Sequence, residues 1–331
     1  MAGLLLSKSF MREFGGLLNA RAQEAGAEAR ALHMHDDPQA RLSAEQLAQI
    51  EVAYLAREIR FSDHYATFGE TVTASPNLKW VHFASTGIDQ HPWLKGLIDR
   101  GVKMTSSAGT NGEPVGQTAI CGMLMLSRGF PGWIDSQRRH AWEPVRGRGA
   151  PKDLRGQTVV IVGLGNIGGG IARFCQAIGM HVIGVRRSPR QAGDPVDEIH
   201  TIAEFSGLMP RCDWVVLACP LTDETRHLLN ATTLAALPKG AHVINVARGG
   251  ITDEPALIEA LRSGHLGGAY LDVFQKEPLP AESPLWDMPN VICTPHNASA
   301  SGGNDQRAAE VFTTNFVRWA RGEAMVNERR A

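Results

Sequence analysis

One arginine, one glutamate and one histidine each follow a short apolar run in the C-terminal half of this 331-residue chain. Arg248 sits in Ala247-Arg248-Gly249-Gly250, after the run 242–246. Glu277 sits in Gln275-Lys276-Glu277-Pro278, after the run 269–273, which itself carries Asp272 near its end. His296 sits in Thr294-Pro295-His296-Asn297, after 291–293. An imidazole titrates near neutrality, so it can hand a proton to an oxygen or take one back. A carboxylate beside it favours the imidazolium and fixes the ring's orientation. A guanidinium stays charged; it can hold a substrate carboxylate while polarising the adjacent carbonyl. Singly, Arg248 reads as a neighbour of a helix end, Glu277 as a surface carboxylate and His296 as a packed loop residue. Together they are the set that carbonyl reduction needs.

A hydride source would have to sit beside them, and a second pattern supplies its site. The run Thr158–Val162 leads into Gly163-Leu164-Gly165-Asn166-Ile167-Gly168, then a helical stretch, then the run His181–Val185. In a strand–turn–helix–strand unit, the first glycine permits the tight turn. The second lets the backbone approach a pyrophosphate, and the third lets helix pack on strand. The helix N-terminus at Asn166 and Ile167 offers free N–H groups and a partial positive charge to that anion. Gly169 and Gly170 prolong the run at roughly 1 kcal/mol each relative to alanine, for no reason visible in the sequence. After Val185, where a carboxylate would bind the ribose 2′-hydroxyl of NAD, the chain has Arg186-Arg187-Ser188, with Arg190 close by. Two guanidinium groups and a hydroxyl suit a 2′-phosphate. The expectation is NADP(H) in preference to NAD(H), with NAD(H) use possible.

These residues need a scaffold that delivers strand ends to one edge. Apolar runs occur at 4–6, 52–55, 80–83 and 102–104, then at 158–162, 181–185, 214–218, 242–246, 269–273 and 291–293. Helix signals lie between them: Asn230 can cap 231–237, Asp253 can cap a helix ended by Gly264, and 114–126 reads as one long apolar helix. Runs apolar on every side and separated by helices indicate parallel sheets covered on both faces. Two such sets imply two α/β domains. Residues 131–157, rich in Gly, Pro and Arg and without a clean apolar period, read as a solvated surface arm. In such folds ligands bind outside the carboxyl ends of the strands, which adds Cys219-Pro220-Leu221-Thr222, after 214–218, to the same rim.

Composition narrows the classes. Hydrophobic residues make up 43% and charged residues 20%, which excludes wholesale disorder. Thirty-three basic residues against 34 acidic ones give a net charge of −1, so no nucleic-acid partner is expected. No apolar run approaches the roughly 18 residues that span a bilayer, and the Leu4-Leu5-Leu6 run is too short for a secretory core. The five cysteines form no CxxC pair. The expectation is a soluble, cytoplasmic protein without membrane attachment.

The stretches LKWVHFASTGID, VGLGNIGGGIA, CPLTDETRHLLN, INVARGGITDEPAL, LDVFQKEPLP and NVICTPHNAS run from about residue 78 to 300. In order and spacing they resemble the D-isomer-specific 2-hydroxyacid dehydrogenase family, near its glyoxylate/hydroxypyruvate reductases. The resemblance implies a catalytic Arg248, a Glu277 that assists the acid/base His296, and a substrate carboxylate held by N–H groups of Ser85, Thr86 and Gly87. Pro220, Ala247 and Asp272 would position the nicotinamide, with Thr222 in the same cofactor-binding loop. It implies two doubly wound domains, a flavodoxin-like substrate domain of residues 1–108 plus 298–331 and a Rossmann dinucleotide-binding domain of 109–297. The active site would lie in the cleft between them, and a homodimer would form through the nucleotide domains. The substrate would be a small 2-oxoacid or D-2-hydroxyacid. Gln117 and Asn297 depart from the commoner residues of the family, and the first 75 residues match only loosely.

Other candidates carry less. Arg57 or Arg60 could reach a substrate, but loop arginines are usually exposed. His33-Met34-His35-Asp36-Asp37 cannot readily converge on one metal ion, so none is expected. His64, His82 and His91 are scattered, and Cys219 has no identifiable activating partner for a thiolate. The rival class is a dinucleotide-sensing binding protein, which would need the glycine loop and not the Arg248, Glu277 and His296 set.

Overall fold

Residues 2–88, 91–145 and 150–329 are described by the computed structural model. Residues 146–149 of the basic stretch, Asp89 of the family-like LKWVHFASTGID stretch and the last two residues lie outside the described residues. Thirteen strands are present among the described residues: β1 (Ala2–Leu5), β2 (Ala29–Leu32), β3 (Val52–Leu55), β4 (Trp80–Phe83), β5 (Lys103–Ser106), β6 (Thr158–Val162), β7 (His181–Val185), β8 (Glu198–His200), β9 (Trp214–Leu217), β10 (Ala241–Asn245), β11 (Leu266–Leu271), β12 (Val291–Cys293) and β13 (Glu328–Arg329). They make two sheets, ordered β13-β5-β4-β3-β1-β2 and β12-β11-β10-β9-β6-β7-β8. The first is parallel apart from β13, and its β2-β1-β3-β4-β5 core has the flavodoxin-like order. The second is wholly parallel, and its β8-β7-β6-β9-β10-β11 portion has the Rossmann order, extended by β12.

The chain divides into two compact units, Met1–Asn111 with Ser301–Ala331, and Gly112–Ala300. In the first unit, Leu4, Val52, Trp80 and Phe83 of the strands pack with Phe312 and Phe316 of the helix Asn304–Ala320. Each fully buried aromatic of that helix contributes roughly 1.5–3 kcal/mol, which is why the C-terminal segment belongs to this unit. In the second unit, alternate residues of β6 serve opposite faces. Val160 and Val162 join one apolar layer, while Val159 and Ile161 meet Ala119 and Met123 of the helix Gly112–Arg128.

Three strands have no counterpart among the sequence expectations, and all lie at sheet edges. β2 has a half-buried pattern, β8 is three residues long with polar ends, and β13 is two residues long. The surface arm expected from residue 131 onward is corrected at its start, where Phe130–Arg138 forms a helix. Gly129 (φ 74°) opens it and a proline occupies its first turn, a position where the missing N–H costs nothing. No helix among the described residues is long and apolar enough to cross a membrane.

Candidate active site

The glycine loop lies at the end of β6, where the order of the second sheet reverses between β6 and β9. Gly163 has φ 92°, and a Cβ there would press on the Ala218 carbonyl at 2.6 Å. A Cβ on Gly168 would run into the Gly163 carbonyl oxygen. Gly165 differs, because a Cβ would meet no heavy atom within 4 Å. Space is therefore open over Gly165, where the helix Asn166–Ala177 begins without a side-chain cap. Uncapped N–H groups facing open space at a switch point fit the pyrophosphate of a dinucleotide.

Arg248, Glu277 and His296 come from three consecutive strand ends, after β10, β11 and β12. His296 Nδ1 lies 2.6 Å from Glu277 Oε2, while Glu277 Oε1 accepts from the Phe274 N–H at 3.0 Å. The ring is thereby held through Nδ1, and Nε2 is the nitrogen left to act. Arg248 is exposed, and its Nη1 donates to the Ala247 carbonyl at 2.6 Å. Its loop is joined to that of Glu277 by Gly249, where a Cβ would collide with the Phe274 backbone.

Two buried polar side chains shape these loops. Asn245, 1% exposed, accepts from the Ala247 N–H at 3.0 Å and donates to the Arg248 carbonyl at 3.1 Å. It was not among the residues singled out from sequence, although an asparagine ending an otherwise apolar strand was the available signal. Asp272, 3% exposed, is turned toward the loop of His296. Its Oδ1 accepts from Thr294 Oγ1 at 2.6 Å and from the N–H groups of Asn297 at 2.8 Å and Ala298 at 3.0 Å. Ala247 is buried, and Pro220 and Thr222 are exposed in a turn tied by Thr225, whose Oγ1 donates to the Pro220 carbonyl and accepts from the Thr222 N–H, both at 2.8 Å.

The basic turn after β7 is built around Arg186. Arg186 is bound up within the loop: Nη1 lies 3.0 Å and Nη2 2.5 Å from the Asp194 carboxylate, and Nε donates to the Ser188 carbonyl. A backbone N–H from Gln191, and then Arg186 itself, hold the Asp194 carboxyl below the usual range. Arg190 is likewise occupied, by the Asp197 and Val196 carbonyls. Arg187 and Ser188 are exposed, and among the described residues no partner holds the Arg187 guanidinium.

In the first unit, Ser85, Thr86 and Gly87 follow β4, with Ser85 Oγ donating to the Gly87 carbonyl at 2.9 Å. Arg57 donates to Asn111 Oδ1 at 2.9 Å. His82 is buried in the core, His91 meets the Tyr65 hydroxyl at 2.6 Å, and His64 meets the carbonyls of His35 and Asp36. His33 binds the Leu6 carbonyl and Asp36 pairs with Lys8; no group among the described residues is placed to hold a metal ion. Burial pushes the Cys219 thiol up to about 11, which disfavours a thiolate there.

Comparison with known proteins falls on these same elements. A family model described as D-isomer specific 2-hydroxyacid dehydrogenase, NAD binding domain, matches residues 120–298. A glyoxylate reductase of Korarchaeum cryptofilum is 31% identical over 268 residues, 78% of each chain. The chain spans 48% of a D-3-phosphoglycerate dehydrogenase of Methanocaldococcus jannaschii, at 30% identity. Among solved structures, a D-isomer specific 2-hydroxyacid dehydrogenase family protein from Aeromonas salmonicida superposes with a TM-score of 0.79 at 28% identity, covering 99% of both chains. An NADPH-dependent glyoxylate/hydroxypyruvate reductase from Sinorhizobium meliloti, solved with NADP and sulfate, gives 0.74 at 28% identity, covering 99% of this chain and 98% of that one.

Proposed function

Because the chain belongs to the D-isomer specific 2-hydroxyacid dehydrogenase family, we propose that it reduces a small 2-oxoacid to the D-2-hydroxyacid with NADPH. Arg248, Glu277 and His296 carry the reaction in this reading. The single observation behind it is the 2.6 Å contact between His296 Nδ1 and Glu277 Oε2. That contact orients the imidazole and leaves Nε2 as the nitrogen that exchanges a proton with the oxygen of a reacting carbonyl. Arg248 holds the substrate carboxylate and polarises the carbonyl. In the oxidative direction His296 takes the hydroxyl proton back.

The N–H groups at Gly165, Asn166 and Ile167 would hold the pyrophosphate, and Arg187 and Ser188 a 2′-phosphate, on the turn that Arg186 and Asp194 brace. Pro220, Ala247 and Asp272 would border the nicotinamide, with Thr222 in the same cofactor-binding loop. Bound there, the reduced cofactor supplies the hydride. We place the enzyme in the cytoplasm as a homodimer, and its five free cysteines suit a reducing compartment.

The test is NADPH absorbance after addition of glyoxylate, hydroxypyruvate or phenylpyruvate. Consumption in the parent that His296→Ala abolishes, with NADPH binding kept, supports the reading. Silence across a wide 2-oxoacid panel while NADPH still binds overturns it in favour of a dinucleotide sensor.

A further inference from the structure

Tyr270 lies near the end of β11 and Asp272 just past it, and Thr294 faces both of them from the loop after β12. The Tyr270 hydroxyl lies 2.7 Å from Thr294 Oγ1, which lies 2.6 Å from Asp272 Oδ1. A carboxylate can only accept, so the Thr294 hydroxyl proton goes to Asp272 and its lone pair receives the Tyr270 O–H. The direction of the chain is therefore fixed: Tyr270 to Thr294 to Asp272.

Asp272 in turn organises the segment that carries His296. The Asn297 and Ala298 N–H groups converge on its carboxylate. The His296 N–H is shared between the carbonyls of Asp272 at 2.9 Å and Thr294 at 3.0 Å. Within this frame His296 has φ 51°, a left-handed backbone that a residue with a Cβ adopts only when its surroundings impose it. Tyr270 is 2% exposed and Asp272 is 3% exposed, so water cannot readily replace a lost link.

We propose that Thr294, backed by Tyr270, is a positioning residue that keeps the His296 loop in its left-handed form through the Asp272 carboxylate. The inference rests on the acid/base role of His296 in the proposed function. Neither hydroxyl touches the reacting atoms; both act through Asp272.

Thr294→Val keeps the branched shape and deletes the hydroxyl. It is expected to lower kcat by about ten- to a hundredfold, the scale of a misplacement of about 1 Å in a catalytic group. NADPH affinity, measured by direct titration, is expected to fall far less than kcat, because the glycine loop that would hold the pyrophosphate is untouched. Thr294→Ser restores the hydroxyl and is expected to recover most of kcat. Tyr270→Phe keeps the ring, folds independently of the outcome at Thr294, and should show a smaller loss of the same kind. Parental kcat in Thr294→Val overturns the inference, as does a Thr294→Ser variant as impaired as Thr294→Val. A lower melting temperature with unmoved kcat identifies a purely structural hydroxyl and also overturns it. His296→Ala separates the two readings. If it is inactive while Thr294→Val is fully active, only this inference fails; if it keeps parental turnover, the proposed function fails first.

Discussion

Glu277 divides its carboxylate between two partners, taking the Phe274 N–H on Oε1 and His296 Nδ1 on Oε2. The first bond fixes where the carboxylate stands, so the second fixes where the imidazole points. Glu277→Gln preserves the shape and replaces the charge-assisted hydrogen bond to Nδ1 with a neutral one. We expect kcat for 2-oxoacid reduction to fall by about ten- to a hundredfold, the size of a charge-assisted hydrogen bond of about 1.5–3 kcal/mol. NADPH affinity should be unchanged. Steady-state kinetics beside a fluorescence titration would check both, and a parental kcat would remove Glu277 from the reaction.

Gly165 and Gly168 stand three residues apart and should fail in opposite ways. A Cβ on Gly165 enters open space, whereas one on Gly168 strikes the Gly163 carbonyl, which is backbone and cannot step aside. Gly165→Ala should keep the parental melting temperature and lose NADPH affinity, because the methyl occupies the approach to the N–H groups. Gly168→Ala should lose about 1–3 kcal/mol of stability through overpacking, at roughly 2–4 °C per kcal/mol for a unit of this size. Thermal melts with and without NADPH distinguish the two. Equal melting temperatures for both variants would contradict this geometry.

The contrast between those glycines shows what a linear pattern can carry. Val159, Val160, Ile161 and Val162 are all buried, so the central strands appear as unbroken apolar runs and their ends can be located by inspection. Arg248, Glu277 and His296 were visible for that reason, since each follows such a run within a few residues. The edge strands were not, because Ala29–Leu32 and Glu198–His200 are each covered only in part. Contacts made by loop conformation were hidden as well. Nothing in the spacing tells that Asp194, eight residues on, folds back to capture Arg186. Nor does it tell that His296 needs φ 51°, or that Asn245 and Thr294 turn their polar atoms toward the neighbouring loops.

Among the described residues Arg187 is the basic residue of the β7 turn without a side-chain partner, and it should set cofactor choice in the proposed reaction. Arg187→Ala is expected to raise the KM for NADPH about tenfold or more, as for one charge-assisted hydrogen bond, and to leave the KM for NADH nearly unmoved. Arg186→Ala should impair both cofactors, because it releases Asp194 and with it the shape of the turn. Paired measurements with the two cofactors decide the matter. An unchanged NADPH-to-NADH ratio in Arg187→Ala would assign the 2′-phosphate elsewhere.

His82 gives the fold a built-in acid limit. It is fully buried, with Nδ1 2.7 Å from Thr105 Oγ1 and Nε2 3.0 Å from Ser107 Oγ. Trp80 Nε1 donates to the same Thr105 oxygen at 2.8 Å, so the threonine proton is free for Nδ1 and the ring is satisfied as the neutral tautomer with its proton on Nε2. Burial lowers its pKa from 6.5 to about 3. Between those values the unfolded chain binds a proton that the folded chain refuses, so stability rises with pH across the window. The contribution is complete above about pH 6.5 and is lost as pH falls toward 3. His82→Gln should cost about 1–3 kcal/mol at neutral pH, since buried hydroxyls lose partners, yet flatten the acid dependence. Denaturant unfolding of parent and variant at several pH values from 4 to 7 would show the two stability curves converging as pH falls, and parallel curves would assign the acid sensitivity to other groups.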